Sequence, residues 1–131
     1  MASTTYQKNL INDYLFGAVS FTPPGTYYLG LSTTTASVVG VTEPSGGGYA
    51  RVPVINTKSY FTYSTSGCLV NSGSIAFAQS SGSWGTVVDA VLFDALTSGS
   101  ARFTVVLPSP IVVQANTIIS FSASQITFSQ Q

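Results

Sequence analysis

The sequence predicts an all-β fold, an antiparallel β-sandwich or jelly roll of about eight short strands led by one short helix. Three observations predict it. Short apolar segments alternate with a period of two, Gly-, Ser- and Pro-rich turns punctuate them, and a helical stripe appears only near the start. At 131 residues the chain is one domain, spanning 1–131, with enough length for a real core.

Residues 3–17 form the expected helix. Thr4-x-x-Gln7 reads as a capping box and Gly17 as the C-terminal stop. Tyr6, Leu10, Ile11, Tyr14 and Leu15 fall on one stripe. A helix of this length is marginal alone, so it docks on the sheet or on a neighbour. Pro23 and Pro24, followed by Gly25, impose an extended stretch and a turn.

Residues 26–32 alternate as a first strand. A hydroxyl-rich linker, 33–37, leads to a weak extended piece at 38–41. Then comes Ser45-Gly46-Gly47-Gly48-Tyr49-Ala50-Arg51-Val52-Pro53-Val54, the stretch around which the chain is organised. Three glycines in a row suit a chain that turns through positive φ or lies against another backbone. The strand they feed, 49–56, puts Tyr49, Arg51 and Pro53 on one side and Ala50, Val52 and Val54 on an inner side. Pro53 marks a sheet edge or a bulge. Arg51 is then either a solvent-facing arginine or part of an edge presented to a neighbouring subunit.

Further strands are expected at 59–64 and 74–78, with a turn region at 67–73 between them. Residues 84–94 form the strongest strand, apolar almost throughout and so central and buried on both faces. A hairpin loop at 97–100 leads to a strand at 102–107. Pro108 and Pro110 bracket a break, and short strands follow at 112–113, 117–121 and around Ile126 and Phe128.

Only 6% of the residues are charged and the net charge is zero, against about 25% charged in ordinary soluble domains. Such an exterior favours association, so much of it is expected to lie against copies of the chain or other subunits in a homo-oligomer. Lys8, Arg51, Lys58 and Arg102 are scattered among four acids and form no basic stripe, which argues against nucleic acid. The apolar runs are too short for a membrane span and no signal peptide opens the chain, so the product is expected to be cytosolic when made.

Catalytic chemistry finds little to work with. The chain has no histidine, and its one cysteine, Cys68, reads as a small buried hydrophobe. No cofactor or metal site is expected. Asp89 and Asp94 point to opposite faces of one strand and make no acid/base pair, while Asp94 accepts backbone hydrogen bonds in the turn that follows. Serines lack a base to activate them, and the glycine run lacks the Lys-Ser/Thr and the helix of a phosphate loop. Tyr27, Tyr28, Tyr49, Tyr60, Tyr63 and Trp84 could line a glycan-binding face, but strand aromatics more often pack in cores. An enzyme is not expected.

These residues resemble a family of small tailed-phage virion proteins, commonly labelled tail fibre proteins. The resemblance rests on the opening helix, the 26–31 strand, Gly46-Gly47-Gly48-Tyr49-Ala50-Arg51, Trp84-Gly85-Thr86-Val87, Phe93-Asp94-Ala95 and a late Val-x-x-Asn-x-Ile segment at 113–118. It covers nearly the whole chain, although the family usually carries Gly-Asp where Ala115-Asn116 stand here. A compact, uncharged sandwich without a fibre shaft is also similar to phage capsid cement, or decoration, proteins. The resemblance implies a virion structural protein. The leading expectation is a capsid cement protein that binds the major capsid protein on the shell exterior, and the alternative is a receptor-binding protein of the tail fibre or tail tip. Gly46, Gly47, Gly48, Tyr49, Arg51, Pro23, Pro24, Tyr6 and Tyr14 are the expected partner contacts, with Tyr49 and Arg51 as anchors.

Overall fold

The computed structural model describes residues 2–17, 22–36 and 39–129. It holds one helix, α1 (Thr5–Leu15), and nine strands: β1 (Ala2–Ser3), β2 (Thr26–Ser32), β3 (Val52–Ile55), β4 (Cys68–Val70), β5 (Ile75–Ala76), β6 (Gly85–Phe93), β7 (Ala101–Val113), β8 (Ser120–Phe121) and β9 (Thr127–Ser129). Seven of them form one sheet in the order β3-β2-β6-β7-β1-β9-β4, and β5 pairs with β8 in a second, small sheet. The chain is all-β, as expected, with its strands almost wholly antiparallel. The exception is β1, which pairs antiparallel with β7 (Ala2 opposite Thr104, Ser3 opposite Phe103) and parallel with β9 (Ala2 opposite Ser129).

β6 is an interior strand, between β2 and β7 rather than at the middle of the seven, and it has little polar to show water over most of its length. Asp89 through Phe93 are all buried in succession, which requires cover on both faces. On one face Leu29, Leu31, Val54, Ala90, Leu92, Phe103 and Leu107 join Phe61, Phe77, Ile126 and Phe128 in the main core. Edge-to-face rings tie the layers together. Phe61 meets Tyr27 of β2 at 6.0 Å and Phe128 of β9 at 5.4 Å, so the far end of the sheet packs back over its start.

α1 begins as expected and then departs. Thr4 is the N-cap, its hydroxyl accepting from Gln7 N at 3.2 Å. The reciprocal half of the box is missing: Gln7 Oε1 instead accepts from Arg102 Nη1 at 2.7 Å, and Thr4 N donates to Arg102 O at 2.9 Å. The helix is thereby tied to β7, and Gln7 is its only buried residue. The stripe of Tyr6, Leu10, Ile11, Tyr14 and Leu15 is not buried under the sheet.

Other expectations are corrected. The 59–64 segment is no strand: Tyr60 N and Phe61 N both bond Thr57 O in a turn, and Phe61 makes an isolated bridge to Asn71. Residues 68–70, expected within a turn, form β4 because β9 offers them a ladder. The 74–78 and 117–121 strands shrink to two residues each. Of the 38–41 piece, residues 39–41 are not strand and residue 38 lies outside the described residues. The prolines do not end β7, which runs unbroken through them for 13 residues. Its register against β6 shifts between Val87–Ile111 and Asp89–Val106, so residues 107–110 bulge past Val88. Pro108 and Pro110 stand in that bulge, where no ladder donor is required of them.

Candidate functional site

The glycine stretch and the Trp84 stretch, separate in sequence, are one structural unit. Gly46, Gly47 and Gly48 all have positive φ, at 72°, 59° and 76°. Gly47 also lies so close to the 81–84 turn that an added Cβ would stand 2.9 Å from Gly82 O. Its carbonyl accepts from both Ser81 N at 2.8 Å and the Trp84 indole Nε1 at 2.9 Å. The loop therefore delivers Tyr49 against Trp84 at 5.3 Å, edge to face, and parallel to Phe77 at 6.4 Å.

Tyr49 then does what β3 stops too early to do. Its hydroxyl accepts from Leu31 N at 3.0 Å, closing the edge of β2, and donates to Glu43 Oε2 at 2.6 Å. Gly30 is the residue that permits this approach, since a Cβ there would meet Tyr49 Oη at 2.9 Å and the Phe93 ring at 2.8 Å. Glu43 is held on its other side by Arg51, whose Nη2 lies 2.6 Å from Oε1. Arg51 stacks 3.5 Å over the Phe93 ring, and its Nη1 donates to Ala95 O and Ser98 O at 2.7 and 2.8 Å. Its side chain is only 8% exposed.

Electrostatics follow from this burial. Desolvation pushes the Tyr49 phenol well above its ordinary value, and its bond to the Glu43 carboxylate pushes it further. Desolvation also acts to raise Glu43, but hydrogen bonds from Arg51 and Tyr49, with the Arg51 charge, outweigh it and hold the carboxyl below its ordinary range. The network is a latch that fixes the 43–51 segment to the β6–β7 hairpin. Beside it lies an open cleft of about 390 Å³, lined by Glu43, Ala50, Arg51, Leu96 and Ser98 among others.

The structure thus distributes the expected contact residues. Residues 49–51, expected to open the strand, lie outside β3: Arg51 rests on Phe93 and Tyr49 packs on Phe77 and Trp84, while Pro53 is exposed and so is Ala50, expected inward. Tyr49 and Arg51 both spend their polar atoms within the chain. Gly46 and Gly48 are exposed, Gly47 half-buried, Pro23 exposed and Pro24 half-buried. Tyr6 and Tyr14 are exposed on α1, and sequence reading did not mark their neighbour Phe16, the helix C-cap, which is 85% exposed. Tyr6 covers Arg102 with one face of its ring.

A second arginine is spent in the same way: Arg102 pairs with Asp94 at 3.0 Å, while Asp94 Oδ1 accepts from Ser100 N at 2.8 Å in the following turn, as expected. With Glu43, Arg51, Asp94 and Arg102 paired and Asp89 buried, the exposed charged side chains are Lys8, Asp13 and Lys58 alone. Among the described residues no three Cys, Asp or Glu side chains gather, and no helix is long and apolar enough to cross a membrane. Cys68 is half-buried on β4. Of the aromatics that might form a glycan platform, Trp84 is buried in the core and Tyr27, Tyr49 and Tyr60 pack against it, whereas Tyr63 is exposed beneath Lys58.

No curated protein matches the chain. A family model does, over residues 2–129, and its description is Podophage GP4 fiber I protein gp80. That family favours the tail-fibre alternative over the capsid-cement reading and makes the protein virion-associated. From a chain whose glycine loop, tryptophan turn and arginine latch build one charge-poor β-sandwich, matched along almost its entire length, it follows that this protein belongs to the podophage fibre I family.

Proposed function

We propose that this protein is a structural subunit of a phage tail fibre, acting by packing against further copies of itself and neighbouring virion proteins rather than by catalysis. The observation that carries this reading is its exterior, where Lys8, Asp13 and Lys58 are the only exposed charged side chains while Tyr6, Tyr14, Leu15 and Phe16 stand out along one helix. Exposed apolar groups rimmed by so little charge mark an association surface. Taking a fully exposed Leu or Phe to full burial contributes about 1.5–3 kcal/mol, and these side chains, already partly covered, contribute proportionately less.

α1, with Tyr6 and Tyr14, and Pro23 and Pro24 are the proposed contacts. Tyr49 and Arg51 serve assembly indirectly, by fixing the surface from within. A purely receptor-binding role draws less support, because most of the aromatics that would stack on sugars are packed inside.

Sedimentation analysis of the wild type against Leu15→Ser/Phe16→Ser tests the proposal. The wild type is expected to form concentration-dependent oligomers, and the variant to remain monomeric with an unchanged melting temperature. Immunogold labelling of virions is expected to mark the tail. A wild type that stays a single chain at high concentration, or label confined to the shell, overturns it.

A further inference from the structure

A cleft of about 190 Å³ opens where α1 and the 56–61 turn meet β2, β4, β7 and β9. That is room for about six waters, or for one small ring with a substituent. Its floor is apolar, made largely by Phe61, Phe103 and Phe128, which are themselves nearly buried. Its polar lining is four side chains, Gln7, Tyr27, Asn56 and Lys58. A concave site with an apolar floor and a few polar groups is the usual form of a small-molecule pocket.

Those polar groups have capacity that the fold leaves unused. Gln7 is only 4% exposed and its Oε1 is taken by Arg102 Nη1, yet its Nε2 has no partner among the described residues. Neither does the Tyr27 hydroxyl, although the ring packs edge-on against Phe61 at 6.0 Å. Both atoms stay accessible, since among the described residues Asp89 Oδ1 is the sole side-chain oxygen or nitrogen that is sealed and unpartnered. Asn56 spends Nδ2 on Pro24 O at 2.9 Å and keeps its Oδ1, and Lys58 spends one of three protons on Thr62 O at 3.1 Å. Unmet donors therefore outnumber unmet acceptors.

Charge points the same way. The Lys58 ammonium lines the cleft, and no Asp or Glu among the described residues does. Arg102 and Asp94 act on it from their ion pair. At the Tyr27 hydroxyl the guanidinium outweighs the carboxylate, although burial still holds the phenol above its ordinary value. A donor-rich, electropositive hollow over aromatic rings suits an anion that carries an apolar face.

We propose that this cleft binds a small organic carboxylate, its six-membered ring on the phenylalanine floor and its carboxylate held by Lys58, Gln7 Nε2 and the Tyr27 hydroxyl. Asn56 Oδ1 is left to accept from a ring hydroxyl. A free aromatic acid and the uronic acid unit of a polysaccharide share this chemistry.

Isothermal titration and thermal unfolding of the purified full chain with sodium benzoate and with sodium glucuronate test the site and separate the two sources. Benzyl alcohol and glucose, at matched ionic strength, are the uncharged controls. At least one carboxylate is expected to bind once per chain with a dissociation constant of about 10⁻³ M. A tenfold excess over that constant raises the melting temperature by about 3–6 °C. Lys58→Ala weakens binding about tenfold and Tyr27→Phe about threefold, each with the ligand-free melting temperature unchanged. A response to benzoate alone assigns the site to aromatic acids, and one to glucuronate alone assigns it to acidic sugars. No binding of either carboxylate, equal binding of the uncharged controls, or binding undiminished in Lys58→Ala overturns the proposal.

Discussion

Replacing Tyr49 with Phe removes one oxygen and leaves the ring, its packing on Phe77 and Trp84, and the volume of the site intact. The lost oxygen has two partners. Leu31 N is buried beneath it, with Leu31 0% exposed, and no other acceptor replaces it, so an unsatisfied amide costs about 1–3 kcal/mol. The bond donated to Glu43 is charge-assisted, but Glu43 keeps Arg51, which puts that loss at the low end of about 1.5–3 kcal/mol. Together the change is about 2.5–4.5 kcal/mol. For 131 residues an unfolding entropy of about 2.1 cal/mol/K per residue gives about 0.28 kcal/mol/K, so the melting temperature falls by about 9–16 °C. Calorimetry on wild type, Tyr49→Phe, Glu43→Gln and the double variant measures both the loss and the coupling between the two side chains. A Tyr49→Phe melting temperature within about 2 °C of wild type would refute the view that this hydroxyl closes the edge of β2, and additive effects in the cycle would refute its coupling to Glu43.

Three further outcomes are expected. Gly46→Ala, at positive φ in open space, costs about 1–2 kcal/mol, whereas Gly47→Ala adds a collision with the Gly82 backbone and destabilises more, as denaturant midpoints will show. Because the folded Glu43 carboxyl is held below its ordinary value of 4.5, its contribution is complete above that pH and lost as pH falls through the lower folded value; Glu43→Gln flattens that acid limb of a stability profile. Tyr49 runs the other way: its folded value lies above the ordinary 10.0, so its contribution is intact below pH 10 and lost as pH rises beyond it, a limb absent in Tyr49→Phe.

Much of the fold is legible in the sequence because period-two alternation and a nearly unbroken apolar run speak directly of strands. β2 and β6 emerge within a residue or two of their bounds, and Thr4 and Gly17 frame the helix. What escapes is whatever depends on a distant partner. Cys68–Val70 becomes a strand only because Thr127–Ser129 pairs with it, and the turn residues flanking it conceal that. Pro108 and Pro110 signal a break by local rules, yet a bulge accommodates both without interrupting β7. The expected contact site is the most instructive case. Alternation places Tyr49 and Arg51 on a common side, but only tertiary structure reveals Phe93 and Glu43 beneath it. The rarity of charge likewise pointed to a bare exterior without showing that two ion pairs withdraw four of the eight charged side chains from it.

The position of β1 bears on how the molecule is made. Ala2 and Ser3 lie between Phe103–Thr104 and Ser129 and join the β3-β2-β6-β7 half of the sheet to the β9-β4 half. The nascent chain can therefore zip up its middle strands early, yet the seam waits until translation has passed residue 129. Closure between segments so far apart in sequence is slow, and during that interval both unsealed edges are vulnerable to pairing with a neighbouring nascent chain.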